Sequence, residues 1–249
     1  MELIKQSISD GVATLLIDRP KVNAINDQLI GELFETFSSL RSNDDIRAIV
    51  LTSTGSFFSF GLDVPGYFDY TREEFEKSFT RFTELYSLIF SFPKPVIAAV
   101  NGHAVGGGCI LALGCDKRIM ARGKAKIGLN EITFGATVPF GVVQMLRSAA
   151  GDKNASRILY SGGLYGAEEA ESLGLIDSAV SHGALAETAL GEARALGDKD
   201  PSAFASIKNM LRKPYIESIA QSEMDSISKF LDIWFSEEVT ELRSKIEIR

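Results

Sequence analysis

Residues 94–109 read KPVIAAVNGHAVGGGC. The first half, PVIAAV (95–100), is a run of β-branched and small apolar residues without polar alternation, the pattern of a strand covered on both faces. The second half ends in three consecutive glycines, Gly106 to Gly108, and opens into CILALG, an apolar stretch that reads as a helix. A helix start leaves backbone N–H groups unpaired and carries partial positive charge. Glycines there remove the Cβ atoms that would keep a ligand away. Such a segment can hold a phosphate, or an oxygen that becomes negative during a reaction. A close strand–helix contact is the alternative use of the same glycines.

The pattern occurs a second time upstream. AIVLTS (48–53) reads as a buried strand, followed by a loop rich in small residues, TGSFFSFGLDVPG (54–66). Strand, glycine-bearing loop and helix in alternation predict an α/β fold, with ligands gathered where loops leave the carboxyl ends of strands. Around these two units, VATLLID (12–18), KRIMA (117–121) and AKIG (125–128) read as strands. INDQLIGELFETFSSL (25–40) carries apolar residues at helical spacing, with Asn26 or Asp27 as its cap. TREEFEKSFTRFTELYSLIFSF (71–92) is a long helix with a phenylalanine stripe suited to packing. LRSAAG (146–151) ends a further helix, and residues 156–180 read as helix, glycine turn, short helix and strand. From His182 onward the pattern is helical. Its segment SEMDSISKFLDIWF (222–235) has apolar residues at Met224, Ile227, Phe230, Leu231 and Trp234, which would pack on a neighbouring subunit or over the active site. The expected organisation is a core over 1–195 and a helical region over 196–249.

Composition narrows the function classes. The 249 residues are 45% hydrophobic and 24% charged, an ordinary globular balance. A net charge of −7 argues against a nucleic-acid footprint. No run of about 18 apolar residues is present, so no membrane span is expected. MELIKQSISDG lacks the apolar region of a signal peptide. Cys109 and Cys115 sit six apart in apolar surroundings and read as buried thiols of a reduced, cytoplasmic protein. The glycines do not fit GxGxxG, and GxxxxGK[ST] and GxSxG are absent. His103 and His182 have no serine elbow or acid partner, and no residues have metal-ligand spacing.

Two glycine loops with no nucleophile suggest another use. The N–H of Leu62, just after Gly61, and an N–H of the triple-glycine turn could converge on one oxygen. That oxygen would belong to an enolate, and enolate chemistry needs a base. In KIGLNEITFG (126–135), Glu131 is a carboxylate flanked by Leu, Ile and Phe, and an apolar setting raises a carboxyl pKa toward neutrality. A helix-start glutamate without chemistry is the plainer reading.

RPKVNAI (19–25), FSFGLD (58–63), the 94–109 stretch, CDKRIMA (115–121), the NEI of 130–132 and AEEAESLGLID (167–177), in this order and spacing, resemble the crotonase superfamily, the enoyl-CoA hydratase/isomerase family. The likeness runs from about residue 3 to about 245. It implies an α/β fold, a ββα spiral core with a helical C-terminal trimerisation region. It implies that the N–H groups of Leu62 and Gly107 form an oxyanion hole for a thioester carbonyl. It also implies a CoA and substrate site at Ser59, Phe60, Gly61, Asp63 and Asn130. There the Phe60 backbone lines the adenine side, and Asp63 fixes the loop. No metal and no separate cofactor is expected, because CoA is part of the acyl-CoA substrate. The partner set is that thioester and further copies of the chain, as a homotrimer or a dimer of trimers, with no nucleic acid and no membrane.

Ile110 separates the branches. Family members that hydrate a double bond hold water between two glutamates, and the first usually occupies the position of Ile110. The second matches Glu131. With one carboxylate left, a single base can move a proton from C2 to C4, the conversion of 3-enoyl-CoA to trans-2-enoyl-CoA. IGLNE (127–131), GLD (61–63) and Pro139–Phe140 resemble that isomerase branch, with Phe140 expected to keep water out. Pro139 stands where dienoyl isomerases carry an aspartate. The alternatives are a hydratase or another acyl-CoA enzyme (hydrolase, decarboxylase) drawing on Asp69 or Glu73, and a non-catalytic acyl-CoA binder. Phe79, Phe82 and Phe134 either bound an acyl tunnel or are plain core.

Overall fold

The computed structural model describes residues 2–243. The chain begins with a hairpin, β1 (Ile4–Ser9) and β2 (Val12–Ile17), and continues into helix α1 (Asp27–Arg41), capped by the Asn26 side chain. Three similar units follow. In each, a longer strand joins a large sheet, a short strand joins a small sheet, and a helix returns. They are β3 (Ala48–Ser53), β4 (Phe57–Ser59) and α2 (Arg72–Phe90); β5 (Val96–Val100), β6 (His103–Val105) and α3 (Gly107–Gly114); and β7 (Lys117–Ala121), β8 (Ile127–Gly128) and α4 (Phe140–Ser161). Helix α5 (Ala167–Ser172) and strand β9 (Ser178–Val180) close the core. Helices α6 (Leu185–Gly197), α7 (Pro201–Trp234) and α8 (Glu237–Arg243) complete it. The large sheet has the order β1-β2-β3-β5-β7-β9, and β4-β6-β8 form the small one. All pairs are parallel except β1 with β2. Each unit thus adds one strand to each sheet, so the chain winds as a spiral.

Burial explains the elements. Every residue of β5 is buried, as its unbroken apolar run requires of a central strand. Every residue of α3 is buried too, a helix apolar on all sides and enclosed on all sides. The structure departs from the sequence expectations in three places. Strand β1 was not expected, because five of its six residues are exposed and polar residues dominate IKQSIS. Its signal is Asp10–Gly11, both at positive φ, as a tight hairpin turn requires. The three-residue β4 and β6 are too short to show a period. Of AKIG only Ile127–Gly128 are paired as a strand. As expected, LRSAAG ends a helical segment: α4 breaks at Gly151 (φ 72°, ψ 165°), and a second helical segment runs on to Ser161.

Helix α7 is fastened to the core at two points. Near its start, the Asp116 carboxylate takes Lys208 Nζ at 2.7 Å and an Arg212 nitrogen at 3.0 Å, all three side chains being largely buried. Arg212 also donates to the carbonyls of Phe90, Gly114 and Cys115. Farther along, Glu223 and Ser226 cap α4. The Gly141 N–H donates to Glu223 Oε2 at 2.7 Å and the Phe140 N–H to Ser226 Oγ at 2.9 Å, while Tyr86 of α2 donates to Glu223 Oε1. Helix α4 has Pro139 as its N-cap, with no side chain to offer, so its orphan donors are met by α7.

Candidate active site

The three glycines do three different things. Gly106 has φ 52° and ψ −119°, a backbone conformation closed to residues with a Cβ. Gly108 lies so close to the 58–62 loop that a Cβ would stand 2.2 Å from the Ser59 carbonyl oxygen. At Gly107 the issue is access. A Cβ there would stand 3.2 Å from the Leu62 nitrogen, and one on Gly61 would stand 3.0 Å from the Gly107 nitrogen. The two nitrogens therefore flank one small space that only bare backbone leaves open.

Their orientation follows from pairing. Ile25 bridges the Gly61–Asp63 stretch in parallel: its N–H donates to the Gly61 carbonyl at 2.7 Å, and the Asp63 N–H donates to the Ile25 carbonyl at 2.8 Å. That bridge uses the groups either side of Leu62, so the Leu62 N–H points away from Ile25. Gly107 is the first residue of α3, and its N–H has no partner within that helix. The RPKVNAI segment holds this arrangement. Asn23, buried at φ 52°, donates to the carbonyls of Thr54 and Phe57 at 2.9 and 2.7 Å. Arg19 donates to Ala24 O at 2.8 Å and pairs with Asp63 Oδ2 at 2.6 Å.

Above the two nitrogens lies a cavity of ≈ 160 Å³. Gly61, Leu62, Gly106 and Gly107 line one side, and Asn130 and Glu131 another. Phe79, Phe82, Ile110, Phe230 and Trp234 close its interior. Glu131 is the only charged side chain lining it among the described residues. Glu131 opens a single turn of 3₁₀ helix (Glu131–Phe134) that the chain makes on leaving β8. A Cβ on Gly106 would lie 3.3 Å from Glu131 Oε1, which sets the carboxylate beside the glycine turn. Its Oε2 is buried and has no hydrogen-bond partner among the described residues. Burial in this apolar setting raises the Glu131 pKa from 4.5 to about 7, against a small opposing effect of its own backbone N–H. Ile110, one turn into α3, is 4% exposed and offers the cavity only methyl and methylene groups.

The other expected residues fall into two groups. Phe60, Gly61 and Asn130 line the cavity with Leu62, Gly107 and Glu131. Ser59 and Asp63 do not. Ser59 is fully buried, and its Oγ accepts from the Gly61 N–H at 3.1 Å. Asp63 accepts from Arg19 and from the Gly66 N–H, bracing the loop from outside. Both residues shape the loop without facing the ligand space. Phe140 is displaced in the same way: Pro139 lines the cavity and Phe140 begins α4. Asp69 and Glu73 are exposed and off the cavity. His103 accepts from the Lys126 N–H at 3.2 Å and packs on Phe57, away from the site. The Cys109 thiol is fully buried, and burial pushes its pKa far up. Sequence reading did not assign Phe230, Trp234, Val64 and Thr137 to the site. For the first two, the apolar spacing of 222–235 left open a neighbouring subunit or the active site, and the cavity lining places them at the site.

Comparison with known proteins agrees in family and differs in detail. A family model described as "Enoyl-CoA hydratase/isomerase" matches residues 7–240. A Bacillus subtilis protein named "Probable enoyl-CoA hydratase" is 31% identical over 243 residues, 97% of this chain and 94% of its own. A Mycobacterium bovis protein, "Probable enoyl-CoA hydratase EchA17", is 32% identical over 83% of this chain and 81% of its own. Among solved structures, human mitochondrial delta3-delta2-enoyl-CoA isomerase superposes with a TM-score of 0.94 at 25% identity, covering 98% of this chain and 96% of that one.

Proposed function

Because this chain belongs to the enoyl-CoA hydratase/isomerase family, we propose that it isomerises 3-enoyl-CoA to trans-2-enoyl-CoA with Glu131 as its single base. The reading rests above all on one observation: Glu131 is the only charged group lining the cavity among the described residues, and Ile110, which the family resemblance sets at the place of a second, water-holding carboxylate, lines it with an apolar side chain. The thioester carbonyl oxygen sits between the Leu62 and Gly107 N–H groups. Glu131 removes a proton from C2, and the electron pair passes through C1 onto that oxygen. The two N–H groups stabilise the enolate because they are fixed before charge develops and water is excluded. Glu131 then returns the proton to C4 on the same face, and the double bond moves into conjugation. A pKa of about 7 suits both halves, since one group must act as base and then as acid. The reaction conserves all atoms and calls for no cofactor beyond the CoA that the substrate carries.

Hydration is the second reading, favoured by the names of the sequence relatives. It needs a second polar side chain to orient water, and among the described residues the cavity offers Asn130 and Thr137 for this. Turnover of trans-3-hexenoyl-CoA beside hydration of crotonyl-CoA separates the two.

We further propose self-association, as a homotrimer or dimer of trimers. It is supported by Ile207, Met210 and Leu211 of α7, which are 54%, 62% and 70% exposed at helical spacing.

A further inference from the structure

One wall of the cavity is made by two helices that are distant in sequence. Phe79 of α2 and Phe230 of α7 stack with ring centroids 4.1 Å apart. Trp234 lies beside Phe230 at 5.7 Å, and Phe75 closes the cluster from behind, 5.4 Å from Trp234 and 5.7 Å from Phe79. Phe79, Phe230 and Trp234 are each less than 5% exposed, so this wall is closed to solvent. Phe60, Val64 and Thr137 line the cavity as well and are only partly buried. The wall is also held in place. Glu223 and Ser226, two turns and one turn before Phe230 on α7, cap α4, and Lys208 and Arg212 anchor the same helix to Asp116.

Space then limits the acyl group. A dry apolar cavity of about 150 Å³ holds one benzene ring, six carbons. The present cavity has ≈ 160 Å³ and includes the carbonyl position between Leu62 and Gly107. From this geometry, and resting on the acyl-CoA reading above, we infer that the enzyme takes short acyl chains, with the Phe79–Phe230–Trp234 wall excluding those much beyond C6. A longer chain meets stacked rings backed by Phe75, with no room to displace them without overpacking.

The test uses binding, so that it stands apart from the reaction. Hexanoyl-CoA and dodecanoyl-CoA, both saturated and unreactive toward isomerisation, are titrated into the wild type, Phe230→Ala and Phe230→Leu. The leucine variant shortens the wall while keeping an apolar partner for Phe79. Hexanoyl-CoA is expected to bind the wild type at least ~10-fold tighter than dodecanoyl-CoA, the scale at which misfit in an apolar pocket discriminates. At least one variant narrows that gap ~3-fold or more by opening the wall. Equal binding of the two thioesters to the wild type, or an unchanged gap in both variants, overturns the inference. Preference for hexanoyl-CoA without turnover of trans-3-hexenoyl-CoA would sink the isomerase reading and leave the length limit standing. Binding of neither thioester ends both.

Discussion

Glu131 combines two properties that ordinarily oppose each other, burial and charge. Its raised pKa means that the folded protein keeps a proton that the unfolded chain releases. Between about pH 4.5 and 7 the unfolded state therefore binds fewer protons than the folded state, and stability falls as pH rises. A shift from 4.5 to about 7 corresponds to up to about 3 kcal/mol. Glu131→Gln removes that charge, so its melting temperature at pH 8 should exceed the wild type's, with the difference vanishing near pH 4. The same variant should lose turnover by ~10²–10⁴-fold, the usual worth of a positioned proton-transfer group. A variant less stable than the wild type at pH 8 would contradict the burial argument. In the wild type, kcat/KM should rise with pH to a plateau, half-maximal near the pKa of about 7, because the base acts only when ionised. A flat profile from pH 5.5 to 8.5 would mean another group carries the proton. Gly108 supplies a third check. Alanine there would set a Cβ 2.2 Å from Ser59 O, and the backbone must shift, at a cost of about 3 kcal/mol or more. An unaltered melt for Gly108→Ala would refute the close approach of α3 to the loop.

Among the elements, α7 does more than its sequence advertised. Its charged and apolar anchors attach to α2, α4 and the strand ends from the far side of the chain. The apolar period of 222–235 was legible, and so was the choice between covering a neighbour and covering the site. What decides between them is the cap that Glu223 and Ser226 supply to a helix more than 80 positions earlier, and no local pattern records such a pairing. Glu223→Ala should strand the Gly141 N–H and the Tyr86 hydroxyl in the interior, at about 1–3 kcal/mol for each orphaned group. For a chain of this size that lowers the melting temperature by several degrees, at about 2–4 °C per kcal/mol. Glu223→Gln keeps an acceptor and should recover most of the loss. Equal melts for the alanine and glutamine variants would show that the cap carries no stability. The strands were legible in proportion to their burial: β3, buried at five of six residues, and the wholly apolar β5 announced themselves. Strand β1, exposed on five of six residues, left only its Asp10–Gly11 turn as a clue. Ser59 carries a related lesson. The FSFGLD motif marks the loop, and Asp63 braces it as expected, but the Ser59 side chain turns back to accept from the Gly61 N–H and does not line the cavity.

At the scale of the whole molecule, the spiral joins two loops from successive units at one point. Strands β4 and β6 are parallel neighbours in the small sheet, so the loops that follow them, carrying Leu62 and Gly107, emerge side by side. Two glycine loops more than 40 residues apart therefore lie beside one another, as the proposed hold of both N–H groups on one oxygen requires. The exposed apolar residues of α7 belong to this scale too. Light scattering at micromolar concentration should return a mass of three or six chains, and Leu211→Glu should shift it toward one; a monodisperse wild-type monomer would refute the assembly. The account as a whole turns on a single base with no held water. The most direct measurement is turnover of trans-3-hexenoyl-CoA, followed by the rise of conjugated thioester absorbance, beside loss of that absorbance from crotonyl-CoA. The account predicts isomerisation without appreciable hydration. Hydration outrunning isomerisation would contradict it, since Ile110 would then have failed to remove the second group on which water addition depends.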